Sequence, residues 1–521
     1  MTAALPHGNF ASALWSVTAQ HQSAPFLIEP GAKTSSYGQI DDLAARYAET
    51  LKTHGAEVGD RVLVQVCKSV EAVALYLACL RAGTVHVPLN PAFTPAELDY
   101  FLSDADPSVV VLDPSSAAAR TATGGRPRIL TLGPRGEGTL TEQADTPEIR
   151  AVRAVAAPIV ERRDDDVAAL LYTSGTTGRP KGAALSNANL RHNAVALHHA
   201  WHFSRSDRLL HCLPIFHTHG LFVALHCAML SAIPVTFPAK FDSDQVLDSL
   251  RSTTVMMGVP THYSRLLESP RLNAELAGGI RLFTCGSAPL RDSVFEEFSE
   301  RTGHRICERY GMSETGIIAS NPYNGERLAG TVGYPLPGVE LRVVDVVGND
   351  PAPLEPGTIG SVEVRGTNVF SGYWNQDNMA ADNALSDDRW FTTGDLGSLD
   401  ESGRLTLHGR SGDLIISGGE NIYPKEVELV LDEVVGVRES AVVGVPDRDL
   451  GEAVIAVIVV DDERSALDNC KAELAARLSR HKHPKQILTA PSLPRNAMGK
   501  VQKNVLREQH SQHEQHQEIS R

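Results

Sequence analysis

The sequence predicts an α/β protein: a large N-terminal domain of mixed, partly parallel sheets with flanking helices plus a β-barrel-like module, and a small α+β C-terminal domain. Three observations lead there. At 521 residues the chain exceeds what one hydrophobic core usually supports, so two or more domains are expected. Helix-spaced and strand-like apolar segments alternate over most of its length. The character of that alternation changes after residue 331 and again near Arg410.

Taken in order, Ile40 to Thr53 has helical spacing, Arg61 to Val66 is a short β-rich run, and Ser69 to Ala82 is helical again. Val85 to Leu89 and Val109 to Leu112 read as buried strands, so the first 150 residues suggest a largely parallel sheet covered by helices. Pro114 to Glu161 is rich in Ala, Pro, Gly and Thr and reads as connecting structure. Strand candidates resume at Arg208 to Cys212, Val235 to Phe237, Thr254 to Val259 and Arg281 to Cys285. Past residue 331 the runs shorten, at Glu340 to Val344, Gly360 to Val364 and Arg404 to His408, which suggests an antiparallel module.

The C-terminal domain starts near Arg410 with strand Leu414 to Ile416, helix Lys425 to Glu433, and strands Glu439 to Val443 and Ala453 to Val460. A helix over about Ala466 to Lys482 follows, with Leu467, Cys470, Leu474 and Leu478 down one face. Residues 509–521 read as a polar, disordered tail. No internal repeat is present.

Hydrophobic residues at 42% and charged residues at 21% are ordinary for a globular protein. The net charge of −15 argues against nucleic acid as a partner, since a phosphate backbone needs a basic face. Seven cysteines, scattered and without a CxxC pair, fit reduced core thiols and exclude a disulfide framework or zinc site. The N-terminal stretch lacks the basic and apolar blocks of a targeting signal, and no apolar run is long enough to span a membrane. A cytoplasmic enzyme without a membrane partner is the expectation.

The most informative stretch is Thr173-Ser174-Gly175-Thr176-Thr177-Gly178-Arg179-Pro180-Lys181-Gly182, a loop leaving the strand-length apolar run Val167 to Tyr172. Its glycines let backbone N–H groups turn inward, its hydroxyls add donors, and Arg179 and Lys181 add charge. That combination suits a polyphosphate. It is not a Walker loop, because Pro180 precedes Lys181 and Gly182 follows it. A mobile surface linker, the bland alternative, would not need a buried strand before it.

Five further motifs follow: LPIFHTHGLF at 213–222, ERYGMSET at 308–315, TGD at 393–395, GRSGDLIISGG at 409–419 and PRNAMGKVQK at 494–503. In this order and spacing they resemble the adenylate-forming superfamily of acyl-CoA synthetases, adenylation domains and luciferases, most of all its malonyl-CoA synthetases. The resemblance covers nearly the whole chain. It implies an N-terminal domain over 1–409, a hinge at 410–412 and a mobile C-terminal lid over 413–521. It also implies two half-reactions: a carboxylate and ATP form an acyl-adenylate and diphosphate, then the CoA thiol displaces AMP.

The resemblance implies roles for individual residues. The phosphate loop from Thr173 to Gly178, with Lys181, holds ATP. Gly286, Ser287, Ala288 and Pro289, together with Glu308, Arg309, Tyr310, Gly311, Met312 and Ser313, line the nucleotide pocket, and Asp395 and Arg410 hold the ribose hydroxyls. Glu314, with the Thr176 hydroxyl, matches the Mg²⁺ site, although local pattern alone reads Glu314 as an acid at a helix start. Lys500 matches the lysine that reaches the acyl-phosphate centre, and Lys181 and His217 complete the catalytic set. Ser411 and Gly412 form the hinge; many relatives carry Asp or Lys where Gly412 stands, so any charge role there passes to Asp413. Ser417, Gly418, Gly419, Glu420 and Asn421 line the pantetheine tunnel for CoA.

The acyl pocket is expected from 213–222, 258–265, 284–289 and 308–316. Arg265 and Arg309 stand there, where a fatty or aryl acid would call for apolar residues, because an unpaired buried guanidinium is strongly unfavourable. Both match arginines of malonyl-CoA synthetases and suit a second carboxylate. The alternative is pairing with Glu308 or Glu268. His217 is expected as a gate or carboxylate contact, His219 as either a packed residue or a donor, and Thr218 and Met312 as limits on bulk at the substrate's C2. The reaction so implied is malonate–CoA ligation, extending to methylmalonate. A ligase for another short acid, or an enzyme loading a carrier-protein thiol, is the alternative.

Overall fold

The computed structural model describes residues 5–519 apart from Ala32, 117–126, 174–179, 347–351, 375–384, Asp387, Gly419, 448–449, 461–462 and 497–499. Most of the phosphate loop (Ser174, Gly175, Thr176, Thr177 and Gly178, with Arg179) and Gly419 of the pantetheine run therefore lie outside the described residues.

The first sheet has seven strands in the order Gly372–Tyr373, Lys181–Ser186, Val167–Thr173, Val85–Pro88, Arg61–Gln65, Val109–Leu112 and Arg128–Thr131. Its middle is parallel: Arg61–Gln65 pairs with Val85–Pro88 on one side and Val109–Leu112 on the other. These strands are buried on both faces, which is why they read as continuous apolar runs. Val167–Thr173 and Lys181–Ser186 form an antiparallel pair, so the phosphate loop is the connection between two paired strands.

A second parallel set consists of Val235–Thr236, Leu209–His211, Val255–Gly258, Leu282–Cys285 and Cys307–Met312. It continues through the antiparallel hairpin Cys307–Met312/Gly316–Ser320 into the strands Thr331–Pro335, Leu405–Arg410, Phe391–Leu399, Gly360–Gly366 and Val339–Val344. These last strands are the antiparallel module expected after residue 331.

From Ile415 onward the chain builds a third, five-stranded sheet with helices Pro424–Asp432 and Glu463–Arg477. Val427, Leu431, Val442, Ile458, Cys470 and Leu474 form one of its cores.

The structure differs from expectation in three places. The stretch 114–161 contains a further parallel strand at the sheet's edge, Arg128–Thr131, and short helices Thr139–Ala144 and Pro147–Arg150. Burial of Leu130, Leu132 and Leu140 stabilises them, a tertiary gain that Ala/Gly/Pro-rich composition does not advertise. The helix expected to reach Lys482 ends at Arg477, followed by one tight turn at Arg480–Lys482. The tail expected to be disordered from Gln509 lies instead in a helix, Lys503–Ile519, whose Leu506 is buried among Ala441, Val443 and Val445. A polar sequence becomes helical here because one apolar anchor docks its first turns.

Candidate active site

The carboxyl ends of the parallel strands and the hairpin 307–320 bring the predicted residues to one region. Glu314 sits in the hairpin turn between Cys307–Met312 and Gly316–Ser320. Gly316 takes φ +60°, and a Cβ there would lie 2.7 Å from the Asn193 amide. Asn193, on the helix Asn187–Ala200, accepts from the Ile317 N–H at 3.2 Å and donates to its carbonyl at 2.8 Å. The Phe370 N–H donates to the Glu314 carbonyl at 2.8 Å. The turn is thus held from two neighbouring elements.

The Glu314 carboxylate is buried and accepts from the Tyr373 hydroxyl at 2.9 Å and the Thr173 hydroxyl at 3.3 Å. The Lys181 ammonium lies 5.2 Å from the Tyr373 ring centroid. Thr173, Lys181, Glu314 and Tyr373 therefore converge where the phosphate loop begins and ends.

Asp395 pairs across strands with Arg410, whose Nε lies 2.9 Å from one carboxylate oxygen, while the Tyr310 hydroxyl donates to the other at 2.5 Å. Burial raises the Asp395 pKa, and Arg410 and Tyr310 oppose that rise. Lys500, whose backbone N–H donates to the Asn496 side-chain oxygen at 3.0 Å, interacts electrostatically with this pair: desolvation of the ammonium lowers its pKa, Arg410 lowers it further, and Asp395 and Asp413 oppose. The lysine of the third sheet's domain and the acid–base pair of the second sheet thus share one electrostatic environment.

Beyond them the side chain of Arg309 runs along Gly286, where a Cβ would lie 2.5 Å from the guanidinium carbon. Only glycine admits that path. Arg309 is buried, donates to the Ser287 hydroxyl at 3.4 Å, and has no acidic partner among the described residues. Ser287 takes φ +73°, a strained conformation for a residue with a Cβ, which turns its hydroxyl between Arg309 and His219 (3.4 Å to Nδ1). Arg309 Nε, Thr284 Oγ1, Thr218 Oγ1, His217 Nε2 and His219 Nε2 are all buried and carry no hydrogen bond. Buried polar atoms are normally paired, so a concentration of unpaired donors marks a place that receives a polar ligand.

Charge agrees. Burial holds the Arg309 pKa down to about 10 and that of His217 down to about 4; His219 is held well below its ordinary value, with Arg309 as the next cause after burial. Both histidines are neutral near pH 7, and Arg309 supplies the charge.

Not every expectation meets here. Glu308 and Arg309 alternate along their strand and form no ion pair. Glu308 is buried with Oε1 unpartnered, its pKa pushed up to about 8 by burial and then by Asp292. Arg265 is exposed on the helix Pro260–Leu267 and is not joined to Arg309 by any hydrogen bond, so the expected clamp of two arginines has one buried member. The buried residues of that helix are His262, Tyr263, Leu266 and Leu267, with His262 stacked on Phe241 at 4.0 Å between ring centroids. Ala288 is half-buried and Pro289 exposed at the rim. His219, read from the sequence as either a packed residue or a donor, is buried with its Nδ1 3.4 Å from the Ser287 hydroxyl. Tyr373 carried no signal.

Ser417, Gly418 and Glu420 lie on the hairpin Ile415–Ser417/Glu420–Ile422, with Gly418 at φ +60°. The Ser411 hydroxyl donates to the Gly394 carbonyl at 3.1 Å, and Gly412 would accept a Cβ without a clash in this arrangement.

Residues 14–374 match the AMP-binding enzyme family and 426–500 the AMP-binding enzyme C-terminal domain. An indoleacetate–CoA ligase of Aromatoleum aromaticum is 35% identical over 91% of this chain and 92% of its own. A malonate–CoA ligase of Arabidopsis thaliana is 32% identical over 92% and 85%. Among solved structures, ATP-bound MatB from Rhodopseudomonas palustris superposes with a TM-score of 0.90 at 45% identity, covering 97% of this chain and 99% of that one. With its fold, its site and these relatives taken together, the chain belongs to the AMP-binding enzyme family, among the acid–CoA ligases that work through an acyl-adenylate and close to the malonyl-CoA synthetases.

Proposed function

We propose that the protein is an ATP-dependent malonate–CoA ligase that also takes methylmalonate. The observation that carries this reading is Arg309, a buried guanidinium with no acidic partner among the described residues, beside Ser287 and His219. A fatty or aryl acid would leave that charge uncompensated, whereas a second carboxylate pairs with it through charge-assisted hydrogen bonds.

In the first half-reaction a substrate carboxylate oxygen attacks the α-phosphorus of ATP and diphosphate leaves. Lys500 stabilises the charge shared by the carboxylate and the α-phosphate, while Lys181 and the phosphate loop hold the polyphosphate. Asp395 and Arg410 hold the ribose, in the reading that their ion pair at the buried Asp395 supports. A single buried carboxylate with flanking hydroxyls suits Mg²⁺, which keeps water and phosphate oxygens among its ligands; Glu314, with Thr176, is its proposed holder. The ion would neutralise phosphate charge. In the second half-reaction the lid over 413–521 turns about Ser411 and Gly412 and presents Ser417 to Glu420. The CoA sulfur then attacks the acyl carbonyl, losing its proton, and AMP departs with the bonding pair.

AMP release with ATP, Mg²⁺ and CoA, compared among malonate, methylmalonate, succinate, acetate and a medium-chain fatty acid, tests the proposal. Malonate-dependent, CoA-dependent turnover with little from acetate is expected. Preference for monoacids would refute the diacid reading and leave Arg309 structural, and acyl-adenylate formation without CoA-dependent AMP release would favour a carrier-protein thiol as acceptor.

A further inference from the structure

Lys68 lies just before the helix Val70–Ala82, whose N-cap is Ser69. Its ammonium is held at 2.7 Å from the His211 carbonyl, 2.8 Å from the Pro238 carbonyl and 3.1 Å from His211 Nδ1, and 4.1 Å from the Phe237 ring centroid. It has no carboxylate partner among the described residues. The titratable groups that face it are His211, Cys212 and His262. Burial pushes its pKa down to about 7, opposed only by Cys212.

An ammonium donating to Nδ1 fixes the His211 tautomer, so Nε2–H donates to the Gly220 carbonyl at 2.8 Å. Gly220 is the residue after His219, and a Cβ there would lie 2.0 Å from the Pro214 carbonyl, so this backbone is tightly seated. A continuous chain therefore runs from Lys68 through His211 and Gly220 to His219, Ser287 and Arg309. It joins the segment after the first sheet's central strand Arg61–Gln65 to the second sheet's unpaired cation, and no acid among the described residues interrupts it.

We propose that Lys68, through His211 and Gly220, positions His219 and supplies uncompensated positive charge for the distal carboxylate of a diacid, which makes it a specificity-determining positioning residue. This rests on the diacid reading above. An anion beside Arg309, at the far end of this chain, favours the protonated amine through the field it adds, so diacid binding draws a proton onto Lys68.

The test compares KM for malonate and for acetate, with the ATP dissociation constant as a folding control. In Lys68→Met the malonate KM should rise about tenfold or more while ATP affinity and acetate KM hold, and Lys68→Arg should recover part of the loss. In the unaltered enzyme the malonate-to-acetate KM ratio should climb between pH 6.5 and pH 8.5, by up to about tenfold per pH unit above the Lys68 pKa. That second measurement stands even if the variant fails to fold. An unchanged malonate KM in a folded Lys68→Met protein, or a flat ratio across that range, overturns the proposal alone. An unaltered enzyme that prefers acetate overturns the diacid reading and this proposal with it.

Discussion

Arg309→Met should make the protein more stable and a worse diacid ligase at once. The side chain is 5% exposed and lacks an acid. Its pKa falls from the usual 12.5 to about 10 through burial, which at about 1.4 kcal/mol per tenfold is roughly 3 kcal/mol against the charged form. The folded value lies below the unfolded one, so this cost is fully present at neutral pH and fades only as pH rises from about 10 through 12.5. Methionine fills the channel along Gly286 without charge, and a gain of about 1–3 kcal/mol in unfolding free energy of the free enzyme is expected. Two charge-assisted bonds to a substrate carboxylate, at the low end of about 1.5 kcal/mol each, are lost, so kcat/KM for malonate should fall roughly 150-fold. Urea unfolding of the ligand-free protein and steady-state kinetics with malonate and acetate measure the two sides. A variant that is less stable yet keeps its malonate preference would refute the argument, because Arg309 would then be a structural residue.

Three further outcomes are expected. Lys500→Ala should cut adenylation by about 10² to 10³-fold while thioester formation from supplied acyl-adenylate persists; equal loss in both steps would remove the assigned role. Gly286→Ala should act like loss of Arg309, because its Cβ would lie 2.5 Å from the guanidinium carbon, and a variant with unchanged malonate KM would contradict that path. Glu308, with a pKa pushed up to about 8 from the usual 4.5, stabilises the fold fully below pH 4.5 and loses that contribution as pH rises through 8. Glu308→Gln should therefore flatten the fall in unfolding free energy between pH 5 and pH 8, a change worth several kcal/mol that unfolding curves at the two pH values would register.

Much of the nucleotide end was legible in the chain order. The motif resemblance named Thr173, Lys181, Glu314, Asp395 and Arg410, and the structure sets Thr173, Lys181 and Glu314 around Tyr373 and pairs Asp395 with Arg410. The acyl end was less legible. Arg265 and Arg309 look equivalent as letters, but Arg265 falls at an exposed position of a short helix, whereas Arg309 lies in a strand that is buried on both sides.

By itself, the sequence determined the α/β class and the division into a large body and a small C-terminal unit, because buried strands and tight turns impose local patterns that survive in one dimension; its motifs carried the resemblance to the family. Only the tertiary structure decided which polar groups lack partners. The isolation of Arg309, the link from Lys68 through His211 to Gly220, the missing Glu308–Arg309 pair and the docking of Leu506 that keeps a polar tail helical all depend on contacts between residues far apart in the chain. Hydrogen bonding and burial are properties of the packed environment, and a residue's neighbours in sequence do not specify that environment.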